Sequence, residues 1–178
     1  MRYVLVCNIN GEAAKLNAKI AADLKYKFNA GRSKLSAHFT IKAPFETDEK
    51  NIVELKNILE KFQNDFRSYE MSINGFDKFR EDVIYMAVSP SKEAKEVHDK
   101  LIDELKSLPW LEWKRNERKD KVFHCTIVSK RVKENFKEIW EYVNKYECNF
   151  KSNFDNLTLY KWEKNTWVLD EGYKLSSR

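Results

Sequence analysis

The chain is poor in the residues that loosen, staple or metallate a fold. Its 178 residues hold four glycines, three prolines, three cysteines and three histidines. Gly11, Gly31, Gly75 and Gly172 stand alone, so there is no glycine-rich phosphate loop, which argues against nucleoside-triphosphate chemistry. Glycine and proline this sparse leave no flexible linker, and no low-complexity segment appears. Cys7, Cys125 and Cys148 are odd in number and lack metal-ligand spacing, so they read as reduced cytosolic thiols. No apolar stretch approaches membrane-spanning length, and the first apolar run, residues 3–9, is too short for a secretory signal. The expectation is a soluble cytoplasmic protein with no membrane partner.

Apolar residues make up 42% of the chain and aromatics 13%, enough to build a core. Charged residues, at 34%, suit a well-solvated surface. This length fits one domain, or two small lobes sharing a core. A net charge of +5 leans modestly toward polyanionic partners.

Periodicity predicts strands over 3–9, 35–43 and 70–79 in the first half, with amphipathic helices over 12–28 and 48–66. The second half repeats the order. It has strands over 83–88 and 122–128, helices over 92–106 and 134–146, and closing strands over 148–154 and 157–169. A basic connector bearing two tryptophans, residues 108–120, precedes the strand at 122–128. The expected organisation is one two-lobed domain over 1–178, an internal duplication with pseudo-repeats of about 1–80 and 81–178.

Two of the three histidines open the same phrase, His38-Phe39-Thr40-Ile41 and His124-Cys125-Thr126-Ile127, and each phrase falls in the same slot of its repeat. Strand side chains alternate faces, so each His and the Thr two places on point together while Phe39, Cys125 and the isoleucines face the core. Only five threonines occur in the chain, so a given histidine has about a 3% chance of Thr at the second following position. Two matching hits are therefore poor candidates for coincidence.

These paired phrases resemble the signature of the 2H phosphoesterase superfamily, whose best-known branch is the 2′,5′ RNA ligase-like and cyclic phosphodiesterase proteins. The likeness extends over nearly the whole chain: residues 2–8 are similar to that family's first strand and residues 157–160 to its late strand. The resemblance implies an α+β fold of two pseudo-symmetric antiparallel sheets, with helices outside and a central groove holding both phrases. It also implies that the 3′ oxygen leaves, giving a 2′-phosphate.

Histidine titrates near neutrality, so His38 and His124 can serve as the general base and general acid of a phosphodiester reaction. Which is which stays open. Thr40 and Thr126 would hydrogen-bond the non-bridging oxygens. The expected activity is metal-independent opening of 2′,3′-cyclic phosphates on RNA ends or nucleotides, or the related reversible 2′–5′ ligation. Two histidines without a carboxylate or cysteine at ligand spacing make a poor zinc site, so no cofactor is expected. The alternatives are hydrolysis of a small cyclic nucleotide and a nucleotide- or RNA-binding module without turnover. The expected partner is an RNA end or small nucleotide bearing a cyclic phosphate, and the expected state is a monomer.

Further substrate contacts are assigned to Lys42, which shares the Thr40 face under strict alternation, to Arg131 beyond the second phrase, and to Tyr160 and Trp162. These two alternate on the late strand and could stack a base. His98 lies on a charged helix without a Thr partner and reads as a packing or surface residue. The cluster Lys114, Arg115, Arg118, Lys119 and Lys121 either clamps an RNA backbone or forms a solvated face.

Overall fold

A computed structural model describes residues 1–177. Eight strands and four helices form two antiparallel four-stranded sheets with the helices packed around them. β1 (Arg2–Asn8), β2 (His38–Glu46), β7 (Asn156–Glu163) and β8 (Thr166–Lys174) make one sheet, in the order β2-β1-β7-β8. β3 (Tyr69–Phe79), β4 (Val83–Pro90), β5 (His124–Val128) and β6 (Asn149–Phe154) make the other, in the order β5-β4-β3-β6. This is the α+β, two-sheet architecture expected. The sheets do not coincide with the halves of the chain, because β3 joins the second sheet while β7 and β8 complete the first.

Helix boundaries follow local chemistry. α2 (Glu49–Asp65) starts where the Asp48 side chain accepts from Asn51 N at 2.8 Å. α3 (Lys92–Lys106) starts where Ser91 Oγ accepts from Ala94 N at 3.1 Å. α1 (Gly11–Phe28) ends at Asn29, whose left-handed backbone (φ 52°) closes the helix. α4 (Phe136–Val143) is shorter than the apolar spacing suggested, with a 3₁₀ turn, Lys133–Asn135, as its first part.

Two sequence expectations change. The stretch at 157–169 is no single strand but a hairpin, since Lys164 and Asn165 both take left-handed backbones (φ 49° and 61°) and reverse the chain in two residues. The first motif strand begins at His38, because Leu35 sits in the preceding loop and packs on Val4 and Val6.

One main core fills the space between sheets and helices, with Leu5, Cys7, Phe39, Ile41, Met86, Cys125 and Ile127 in it. The opposite face of the first sheet carries a small separate cluster of Val4, Val6 and Leu35, with Tyr160 and Trp167 against it. Among the described residues, no helix is long and apolar enough to cross a membrane.

Candidate active site

β2 and β5 are the edges by which the two sheets meet, and each motif opens its strand. Phe39, Ile41, Cys125 and Ile127 are buried, whereas His38, Thr40, His124 and Thr126 are half-exposed, as alternation predicts. The strands touch through core aromatics: Phe39 meets Phe123 edge-to-face with ring centroids 5.6 Å apart. Burial pushes the Cys125 thiol up to about 12, so it is inert as a nucleophile.

The two imidazoles are held alike. His38 Nδ1 lies 2.6 Å from Ser36 O, and His124 Nδ1 lies 3.1 Å from Val122 O. A carbonyl can only accept, so Nδ1 carries the proton in both rings and Nε2 is left for proton exchange. Each acceptor is the carbonyl two residues before its histidine, so the device is encoded twice by the same local geometry. His124 also stands between Phe79 (4.9 Å, edge-to-face) and Tyr85 (5.3 Å). On the other side, Asn8 pairs with His38 and Val6 with Thr40 across β1 and β2.

Each motif threonine's carbonyl is gripped by a cation from the loop leading into the other motif. Arg32, ahead of His38, donates to Thr126 O at 3.1 Å. Lys121, ahead of His124, donates to Thr40 O at 2.9 Å and Ile41 O at 3.0 Å. Asn17 completes the first grip, donating to Thr126 O at 3.1 Å while accepting from Arg32. Edge-strand carbonyls would otherwise lack partners, so the two cations both satisfy β2 and β5 and tie them together.

Burial lowers the pKa of both histidines below the ordinary 6.5, with Arg32 and then His124 adding to the effect at His38, and Lys121 adding at His124. Burial, reinforced by Lys42, pushes the Lys121 ammonium itself down to about 8. Removing its charge in Lys121→Met is therefore expected to raise the His124 pKa, read by NMR titration of the imidazole. A His124 pKa that stays put would deny Lys121 its place beside the ring.

A cavity of about 250 Å³ opens at this junction, with Thr40, Pro44, Glu117, Lys121, Phe123 and His124 in its wall. Residues of both motifs, Phe39 and Thr40 of the first and His124 of the second, therefore border the same space.

The other expected contacts fall differently. Lys42 does not share the Thr40 face. The β1–β2 register shifts twice just beyond Thr40 (Val6 opposes Thr40, Leu5 opposes Lys42, Tyr3 opposes Phe45), and this bulge turns Ile41 and Lys42 both inward. Lys42 is 2% exposed and bound to Glu117 Oε1 at 2.9 Å, with the Trp113 ring centroid 5.0 Å from its ammonium. β5 shifts at the equivalent place, where Tyr85 opposes Thr126 and Ile84 opposes Val128, so the backbones match although the side chains do not.

Tyr160 and Trp162 occupy the motif face of the first sheet. Tyr160 pairs with Val4, and its hydroxyl meets Asn8 Nδ2 at 3.0 Å, while Trp162 packs edge-to-face on Trp167. Arg131 is exposed at the far end of β5, with a left-handed backbone (φ 57°). His98 is buried against Phe123 at 4.8 Å, in the packing role expected. Within the basic cluster, Lys121 is committed to β2, and Lys119 pairs with Asp103.

Arg32, Asn17, Phe79, Tyr85 and Glu117 escaped sequence reasoning. The one available signal was a cation a few residues ahead of each motif. Among the described residues, no group of three or more His, Cys, Asp or Glu side chains could hold a metal ion.

Two antiparallel sheets thus meet at edge strands that each open on a His-x-Thr phrase. The family model described as the 2′-5′ RNA ligase superfamily matches residues 12–166, and the chain belongs to this family, within the 2H phosphoesterase superfamily. Membership supports a phosphoesterase or 2′-5′ ligase type of activity. The chain is 20% identical over 163 residues to "Putative phosphoesterase GWCH70_0799" of Geobacillus sp. (strain WCH70), covering 89% of each chain. The fold is similar to that of TT0787 of Thermus thermophilus, with a TM-score of 0.74, 10% identity and 98% of each chain covered. It is also similar to E. coli LigT complexed with 3′-AMP, with a TM-score of 0.63, 14% identity, and 98% of this chain and 96% of that one covered.

Proposed function

We propose that this chain opens 2′,3′-cyclic phosphates on RNA ends or nucleotides, or runs the related reversible 2′–5′ ligation, without a metal. The observation that carries this reading is the matched pair of imidazoles, each with Nδ1–H fixed on a backbone carbonyl and Nε2 unclaimed among the described residues, on adjoining edge strands. In hydrolysis, one Nε2 takes a proton from water as the water oxygen attacks phosphorus. The P–O bond to the ribose oxygen breaks as the other imidazolium donates its proton to that oxygen. Water then exchanges the two protons and resets the pair. With a 5′-hydroxyl in place of water as the nucleophile, the same groups open the ring onto that oxygen and make a 2′–5′ phosphodiester.

Thr40 and Thr126 would donate to the non-bridging oxygens, and Lys121, which lines the same cavity as Thr40 and His124, would supply positive charge as the phosphorane gains negative charge. Tyr160 and Trp162 offer faces on which a base would stack. Arg131, at the far end of β5, is assigned to the substrate's phosphates.

The direct test is turnover of a short RNA ending in a 2′,3′-cyclic phosphate with EDTA present. Ring opening that persists in EDTA supports the reading. Folded protein with no turnover on this RNA or on a cyclic mononucleotide sinks it and leaves a binding module.

The pH dependence has a definite sign. Productive protein has one imidazole neutral and one protonated, so kcat/KM follows a bell. Both free-protein pKa values lie below 6.5, so the maximum is expected on the acid side of 6.5. Bound phosphate anion favours imidazolium, so the kcat profile is expected to peak at higher pH. A flat profile between about pH 5 and 8 would count against two-histidine catalysis.

A further inference from the structure

A second concavity, of about 460 Å³, lies between α1 and the segment after β5. Its floor is three alanines on one side of α1, Ala18, Ala21 and Ala22, and its rim is Lys25, Arg32, Lys130 and Arg131. Among the described residues no carboxylate lines it, and none of the four cations has an acidic partner within salt-bridge distance. The chain carries 28 acidic residues, so four neighbouring cations left without one are notable. Like charges gathered in one concavity repel unless an anion sits among them.

The pocket is held in shape. Gly31 N donates to Lys130 O at 2.9 Å, and Lys130 N donates back to Gly31 O at 2.8 Å. Lys25 Nζ is held by Asn29 Oδ1 at 2.9 Å. Amides of Asn29 and Ala30 take up carbonyls of Lys25 and Leu24, so the negative end of α1 is partly neutralised here. Arg32 belongs to both places: it lines this pocket, grips Thr126 O, and is close enough to His38 to lower its pKa.

We propose that this pocket holds the phosphate backbone of a single-stranded RNA whose cyclic-phosphate end lies at His38 and His124, making an oligonucleotide strand a better substrate than a mononucleotide. The proposal rests on the cyclic-phosphate reading given above. A phosphate backbone fits better than a protein partner. The lining offers cations over small side chains, with no aromatic or large aliphatic anchor of the kind protein interfaces place at their centres. Alanines admit the strand close to α1, and lysines and arginines meeting phosphates read no sequence.

The test uses Lys25→Glu with Lys130→Glu, both at exposed positions, against a control double, Lys137→Glu with Lys145→Glu, which changes net charge equally outside the pocket. Binding of a labelled short RNA ending in a cyclic phosphate is followed by fluorescence anisotropy across a salt series. Turnover is measured on that RNA and on cytidine 2′,3′-cyclic phosphate.

The pocket double is expected to lose at least tenfold in RNA affinity at low salt. Its plot of log affinity against log salt should be shallower by about 1.4, since each lost phosphate contact removes about 0.7. Its kcat/KM on the cyclic mononucleotide should match the unmutated protein's. RNA affinity and salt slope equal to those of the control double would overturn the proposal. So would equal losses on RNA and mononucleotide. If the unmutated protein turns over neither substrate, the catalytic reading falls, and the anisotropy still decides the pocket.

Discussion

Alanine at His38 or at His124 is expected to lower kcat for ring opening by about 10²–10⁴, the usual worth of a positioned acid or base. Affinity for the RNA should stay nearly unchanged. The two losses should be similar, because the base cannot start attack usefully unless the acid is there to receive the leaving oxygen. For the same reason, the double variant should be little worse than either single one. Groups that act as one unit give non-additive losses. The fold should survive, since both side chains are half-exposed and each leaves behind only a backbone carbonyl at the edge of solvent. Single-turnover rates and equilibrium binding, measured side by side, separate the outcomes. Affinity that collapses while rate is unaffected would make the histidines ligand contacts, and a loss in only one variant would remove the symmetric acid–base scheme.

That expectation could be framed from sequence because the information lies within four residues. His and Thr two apart in a β-prone stretch fix which side chains share a face, and the structure keeps this alternation through both motifs. It fails one step later. At Lys42 the bulge that inverts the pleat is set by how β2 meets β1 and by the Lys121 ammonium drawing the Thr40 and Ile41 carbonyls together. None of that is local. Arg32 was invisible for the same reason, since its partner Thr126 is 94 residues away. The late hairpin was missed on turn chemistry: Asn165 suits a left-handed backbone, but Lys164 does not announce one. The strand exchange between sheets is a matter of topology, which equal-looking halves do not reveal.

The buried pair that displaced Lys42 from the site makes the largest stability prediction. Glu117 is 8% exposed and accepts four hydrogen bonds, from Lys42 Nζ to both carboxylate oxygens (2.9 and 3.0 Å), from Ala43 N (2.9 Å) and from Lys114 N (2.8 Å). Glu117→Ala strands an ammonium in the interior and leaves two backbone amides without acceptors. Breaking a buried pair from one side costs about 3–5 kcal/mol, and for a domain of this size that lowers Tm by roughly 10 °C or more. Thermal unfolding checks it, and a shift of only a degree or two would mean that water reaches Lys42.

Removing both charges, in Lys42→Met with Glu117→Leu, eliminates the stranded ammonium but not the two orphaned amides. It should therefore recover only part of the loss. The pH dependence follows the same carboxylate. Burial alone would raise the Glu117 pKa, but the bonds from Lys114, Lys42 and Ala43 outweigh it and hold the value below the ordinary carboxylate range. A depressed folded pKa gives stability that is complete above the unfolded value of about 4.3 and lost as pH falls through the folded one. Glu117→Gln should accordingly flatten the acid side of the stability curve.

The same change should reach the chemistry. Glu117 fastens the connector that ends in Lys121, and both line the cavity shared by Thr40 and His124. Below its lowered melting point, the Gln variant is therefore expected to lose kcat more than binding, because the residues it loosens position the reacting groups and carry no contact with the distant strand.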